Sequence, residues 1–471
     1  MSTLIWKDLR HHASEWLWSL LVATVGGTIV GVVITSWWSA VQWSLAHPDG
    51  PYMLASNILG SNMVGYIGIS TAIVISTTLG LTVTAQQRSY SLWKVLGIPG
   101  RRIRSVILWQ VCAVGLVGGL LGGLLALPTA RVYLLTWREF NLFPDDLPLS
   151  MPLFGIPATM LVTALFSVLG GLGAARRAAN VPEMQALREA TSPRSRTKLW
   201  QWIAAGFFLI PVVLMPILIN LPPEALHSDY TPEMPDVPTE AATTDFESPG
   251  DRAVLGGGIG LMVALAALFI PNWTVRPLLI GWTSLIPGRS PAWFAARANA
   301  RHRSAFSLTT IVPFAIAVAM TGVFHTVANA GRAAGGMHGG VNGFLTIMVP
   351  IFFVAGAGGI ANIAMVGRTR RQEGALLGVL GARSGTILGS TILEGAIYAI
   401  TGILFGLAVT LLSATSAALM SGGGMEVFIG SIPVTTLLPA IGASLMLAIT
   451  TTWLPAQLDR RPMMESLRQP V

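Results

Sequence analysis

The recurring apolar runs constrain this chain more than any other feature. They fall at about 16–37, 59–84, 104–128, 151–174, 200–220, 253–271, 306–328, 344–366, 387–412 and 432–454. Each is roughly 18–25 residues long, enough at ~1.5 Å rise per residue to carry a helix across a ~30 Å hydrocarbon core. Lipid offers no partner to backbone N–H and C=O groups, so each run must satisfy them internally. The expected fold class is therefore all-α: a polytopic membrane protein with ten transmembrane helices. Of the 471 residues, 52% are hydrophobic and 11% charged, too little polar material to wrap one soluble core. The first run is long enough to span, and no small-residue cleavage site follows a short apolar core, so it is expected to stay as the first helix. Cys112 is alone inside an apolar run, which excludes an intrachain disulfide and a thiolate metal cluster.

An even number of spans puts both termini on one side, and basic residues choose the side, because lysine and arginine are retained in cytoplasmic loops. With the N-terminus inside, only Arg131, Arg138, Arg252 and Arg332 of the 29 basic residues fall outside. Both termini are thus expected in the cytoplasm, with the chain in the cell membrane. The net charge of +8 is a topology signal and not a nucleic-acid footprint. The lipid bilayer is the partner that the composition itself implies.

The chain repeats itself. Residues 86–110, QQRSYSLWKVLGIPGRRIRSVILWQ, align with residues 370–394, RRQEGALLGVLGARSGTILGSTILE, at a constant offset that places Leu96 and Gly97 over Leu380 and Gly381 and Gln110 over Glu394. Gly118 and Gly122 fall over Gly402 and Gly406, and NVPEMQALR (180–188) resembles RRPMMESLR (460–468). The expected organisation is 4+2+4: a four-helix unit over 1–190, a two-helix insert over 191–290, and a second four-helix unit over 291–471. An insert with an even number of spans keeps the two repeats parallel.

Both copies of the repeated segment lie in inner loops. In the second, Leu376, Leu377, Val379 and Leu380 recur at helical spacing, while Arg370 and Glu373 sit one turn apart on the polar side. This describes a short amphipathic helix on the membrane surface, either an interfacial connector or a surface that receives a partner. The arginine run followed by Glu373, Leu376, Leu377, Leu380, Gly381 and Ala382 resembles the cytoplasmic signature of FtsX-like (MacB-type) ABC transporter permeases. The closing AARRAANVPEMQALR is similar to the element that ends those domains, and the likeness covers both four-helix units. The resemblance implies coupling helices at 86–103 and 370–386 that dock on a cytoplasmic ATPase. Arg88, Lys94, Leu96 and Gly97 would serve in the first, and Arg370, Arg371, Glu373, Leu376, Leu377, Leu380 and Gly381 in the second. The first copy departs from the pattern, with Ser89 in place of Glu373 and Pro99 in place of Arg383.

The chain contains no GxxxxGK[ST] phosphate loop and no segment that reads as a soluble α/β domain, so it is not expected to be an enzyme or to hold a cofactor or metal. ATP and Mg would belong to the partner. As in the ten-helix BceB-type members, the resemblance implies one permease chain engaging two ATPase copies. The expected function is export or extraction of an amphiphilic or hydrophobic substrate, such as a lipid, lipopeptide, antimicrobial peptide or drug. The alternative is an FtsX-like signalling protein that passes ATPase motion to an outside partner without transport, although the outer loops are short.

Three other features stand out. Glu394, with Gln110 at its repeat position, is an ionisable group within a span, suited either to hydrogen bonding with neighbouring helix ends or to a direct coupling role. Gly115, Gly119 and Gly123 share one face of the third span, and Gly402 and Gly406 repeat the four-residue spacing, as helix-packing interfaces do. The outer stretch 221–252 carries eight carboxylates, among them Glu233, Asp236 and Glu240, against Arg252 alone. It reads as a solvated linker, or as an acidic field that attracts cationic substrate.

Overall fold

The computed structural model describes residues 13–47, 71–83, 86–138, 148–179, 199–219, 248–288, 290–302, 304–335, 353–362, 364–365, 378–379 and 381–458. Among these, all regular structure is helical. The first unit contains α1 (Ala13–Ala46), α2 (Thr71–Val83), α3 (Gln87–Val95), α4 (Gly100–Arg138) and α5 (Gly155–Ala179). The insert contains α6 (Leu199–Ile219) and α7 (Pro249–Phe269), followed by two short helices, α8 (Val275–Leu285) and α9 (Pro291–His302). The second unit contains α10 (Ser304–Ala333), α11 (Phe353–Asn362), α12 (Ser384–Ser421), α13 (Gly424–Ser431) and α14 (Val434–Leu458).

Among the described residues, seven helices are long and apolar enough to cross a membrane: Trp16–Ala46, Gly100–Tyr133, Gly155–Arg176, Pro249–Phe269, Ser307–Ala333, Ser384–Ser421 and Gly424–Trp453. Shorter apolar helices at Thr71–Val83, Gln201–Ile217 and Phe353–Asn362 fall within the other three apolar runs. The chain is therefore a multi-pass helical membrane protein. The helices overrun the hydropathy boundaries, because apolarity marks only the part in lipid while helix geometry continues until a breaker. The 39 residues of α4 extend about 58 Å, twice the hydrocarbon thickness. The outer loop expected at 413–431 is mostly helix: α12 runs to Ser421, stops at Gly422 in the left-handed region (φ 69°), and α13 follows.

Local chemistry explains several ends. Helix α7 opens on Ser248, whose Oγ accepts the Asp251 N–H at 3.1 Å, with Pro249 in the first turn and Asp251 favourably placed at the positive helix end. Inside the spans, Thr35, Thr159, Thr321, Thr401 and Thr410 donate to the carbonyl four residues back, which satisfies their hydroxyls in the buried helix contacts.

In the first unit α4 runs along both α1 and α5. In the second, α12 runs along α10, α7 and α14, and the most apolar window of α10 is wholly buried. The insert belongs with the second unit: Ser413 of α12 donates to the Gly257 carbonyl of α7 at 2.6 Å, and α6 packs on α7 while exposing Ile203, Phe207 and Val213. The units touch through α2 and the α11 region. The Thr82 hydroxyl lies 3.2 Å from Met365 Sδ, and a Cβ built on Gly358 would meet the Val74 side chain.

Candidate functional site

The segment after α2, expected as the first inner loop, is a helix with a defined stop. After Val95, Leu96 N–H reaches Leu92 O at 3.0 Å, Gly97 N–H reaches Lys94 O at 2.9 Å, and Ile98 N–H closes back to Trp93 O at 3.0 Å. Gly97 takes φ 82°, a conformation that a side chain disfavours. The chain then turns into α4 at Gly100, where an added Cβ would lie 2.8 Å from the Ala179 carbonyl at the end of α5. The expected element 86–103 thus divides into α3 and the first turn of α4. Helix α3 presents Leu92, Val95 and Leu96, which are 52%, 57% and 79% exposed, while Tyr90 on its other side is fully buried. Lys94 is half-buried at the helix end, and Arg88 lies in the helix with its side chain outside the described residues.

The second copy shows the same stop. Gly381, the repeat counterpart of Gly97, takes φ 90° with its N–H on Gly378 O, and α12 begins at Ser384, the counterpart of Gly100 at the start of α4. Val379, the counterpart of Val95, is 69% exposed. Arg370, Arg371, Glu373, Leu376, Leu377 and Leu380 lie outside the described residues, as do Glu233, Asp236 and Glu240.

Gln110 and Glu394 both sit buried near the N-terminal ends of their helices, each within reach of a tyrosine hydroxyl. Tyr90 donates to Gln86 Oε1 at 2.7 Å and lies 3.4 Å from Gln110 Oε1. Tyr398 donates to Glu394 Oε1 at 2.5 Å and lies 3.2 Å from the Ser307 hydroxyl, which donates to Ala300 O at 2.7 Å. Glu394 therefore holds the Tyr398 hydroxyl, whose oxygen lies beside that of Ser307 in α10.

The glycine faces bring backbones together. A Cβ on Gly115, Gly119 or Gly123 would meet Ala164, Met160 or Ile156 of α5. On the adjacent face, one on Gly122 would lie 2.4 Å from the Gly27 carbonyl carbon of α1. Gly402 and Gly406 meet Phe314 and Val318 of α10, so each of the repeat pairs Gly118/Gly402 and Gly122/Gly406 faces the first helix of its own unit.

Sequence patterns miss three features. Tyr90 reads as one more loop residue. His325 is fully buried in α10, with Nδ1 2.8 Å from Thr321 O and Nε2 without a hydrogen bond among the described residues. Arg301 of α9 donates to Thr283 Oγ1 and to Ile280 O at 2.8 Å, closing the C-terminal end of α8, where a cation is favoured. Burial, and then Arg297 beside it, lower the Arg301 pKa from the ordinary arginine value. None of the three has a motif to mark it. Among the described residues no group of three His, Cys, Asp or Glu side chains is placed to hold a metal.

Two helical units with matching elbows define a multi-pass membrane protein built by internal duplication. A family profile described as FtsX-like permease C-terminal matches residues 61–182 and 345–460, together just over half of the chain, and the two matches start at the same spacing as the elbows. The chain belongs to the FtsX-like permease family and carries its C-terminal domain twice. A comparison with curated proteins finds no match. Membership points to the membrane subunit of an ABC transporter, a component that pairs with a cytoplasmic ABC ATPase.

Proposed function

We propose that this chain is the permease subunit of an ABC transporter that exports or extracts an amphiphilic or hydrophobic substrate, with work supplied by two copies of a separate ATPase. The proposal includes ten spans in a 4+2+4 order, both termini in the cytoplasm, and one permease chain per complex. The two inner elbows carry this reading. Each has an exposed valine beside a left-handed glycine at the same repeat position, Val95 with Gly97 and Val379 with Gly381. Leu92, Val95 and Leu96 form an exposed apolar surface, the kind of surface that a partner covers. Such an elbow suits force transfer, because tightly packed helices move as units.

The test is co-purification with a co-expressed ABC ATPase. Leu92→Ser with Leu96→Ser in the first elbow, and charge reversal of Arg370, Arg371 and Glu373 in the second, are each expected to lower recovery of the ATPase by more than half, and the combination to abolish it. Full recovery and full transport with all five changes would remove the coupling role from these residues.

A further inference from the structure

Among the described residues, Tyr90 is the largest fully buried side chain of the first unit, and it belongs to α3, a helix of only nine residues. Its hydroxyl faces Gln86, just before that helix, and Gln110, more than two turns into α4. Gln86, Tyr90 and Gln110 are 2%, 0% and 0% exposed, so these polar groups meet away from water. Trp93 closes the side, its ring 5.5 Å from that of Tyr90 and edge-on. In a dry site a hydrogen bond is stronger than in water, and an abandoned partner is costly.

We propose that Gln86, Tyr90 and Gln110 form a latch that fastens the first inner elbow to α4, with Tyr90 as the positioning residue through which motion of the elbow reaches the third helix of that unit. Without the latch, a short surface helix joined to α4 by the Gly97–Pro99 turn could pivot at that turn and dissipate a push from below. The latch makes α3 and the inner end of α4 one body. It is also one-sided. At the constant repeat offset, Gln86, Tyr90 and Gln110 correspond to Arg370, Gly374 and Glu394, so the second copy has no tyrosine at the equivalent position. The second copy therefore lacks the phenol on which this latch is built.

The transmission part of this proposal rests on the ABC permease reading; the fastening part does not. The test uses the full chain in lipid nanodiscs, alone and with its ATPase, and three variants. Tyr90→Phe keeps the ring and removes the hydroxyl. Gln110→Leu removes the acceptor at similar volume, and Gln110→Glu keeps an acceptor. In the chain alone, amide exchange over 88–96 is expected to accelerate at least tenfold in Tyr90→Phe and Gln110→Leu and to stay within threefold of the parent in Gln110→Glu. The Tyr398→Phe control should leave this segment unchanged. Unaltered exchange in Tyr90→Phe would overturn the latch, as would equal acceleration in the Tyr398→Phe control. With the ATPase bound, Tyr90→Phe and Gln110→Leu are expected to retain the subunit and its basal hydrolysis but to lose most of the substrate-dependent stimulation, which Gln110→Glu restores. Normal stimulation in Tyr90→Phe would overturn transmission. Failure of any ATPase to bind the parent chain would instead reject the permease reading and leave the exchange result to decide the latch.

Discussion

Glu394 shows how one residue in a span can be both costly and useful. A carboxyl group this deep is stable only if its oxygens are occupied, and the Tyr398 hydroxyl, itself beside that of Ser307, donates to one of them. Replacing Glu394 with Gln preserves an acceptor for Tyr398, whereas Leu removes this buried hydrogen bond at a cost of about 1–3 kcal/mol. Thermal unfolding in detergent is expected to show Glu394→Gln within about 2 °C of the parent and Glu394→Leu clearly lower. If both variants unfold together well below the parent, the carboxylate charge and not the hydrogen bond from Tyr398 is what the fold requires. The sequence disclosed that Glu394 is buried at an inner helix end, because an acid in an apolar run announces itself. It could not disclose Tyr398 as the partner: a tyrosine one turn further along a hydrophobic helix looks like any other apolar residue until the neighbouring helices are in place.

Among the elements, the close crossings of α4 on α1 and of α12 on α10 depend on absent side chains. The would-be Cβ of Gly122 meets the backbone of α1 at Gly27, which cannot rotate away as a side chain can, while that of Gly406 meets Val318 Cγ1 at 2.5 Å beside the Ala319 N–H. Gly122→Val is therefore expected to destabilise the fold by about 1–3 kcal/mol or more through overpacking. Gly258 has open space around its added Cβ, so Gly258→Ala should be nearly silent. Comparing the two unfolding temperatures checks the point; equal behaviour would mean that the crossing opens without cost. These faces were legible in advance, because glycine at four-residue spacing is a surface pattern of a single helix. Helix ends were less so. Hydropathy located the apolar runs, but α1, α4 and α12 continue past them: α4 passes through Pro128 to Arg138, and α12 ends only at Gly422. The docking of the insert on the second unit was not legible either, since Ser413 and Gly257 acquire their relation only through packing.

For the whole molecule, the repeat offset predicts more than similarity. Val74 and Gly358 are repeat counterparts, separated by the same spacing that relates Gly97 to Gly381, and they touch each other across the contact between α2 and α11. Equivalent positions meet in this way near a two-fold axis, the relation expected if the units face each other as the halves of a symmetric dimer do. A single chain that supplies both halves leaves no open copy of this surface for a second chain, which is the physical argument for one permease per complex. The contact is also suited to a direct test. A Cβ on Gly358 lies 3.7 Å from Val74 Cβ, inside the roughly 3.5–4.5 Å separation that a disulfide spans. In a Cys112→Ser background, Val74→Cys with Gly358→Cys is expected to oxidise readily and to run as a cross-linked monomer, visible as a mobility change that reductant reverses, with each single variant inert. Covalent dimers as the main product would mean that the seam forms between chains, and one-chain stoichiometry would fall. If the seam must part during the work cycle, the oxidised double variant should also bind its ATPase yet lose stimulated hydrolysis until reduced; unimpaired stimulation in the locked form would assign the motion to other helices and leave α2 and α11 as a fixed axis.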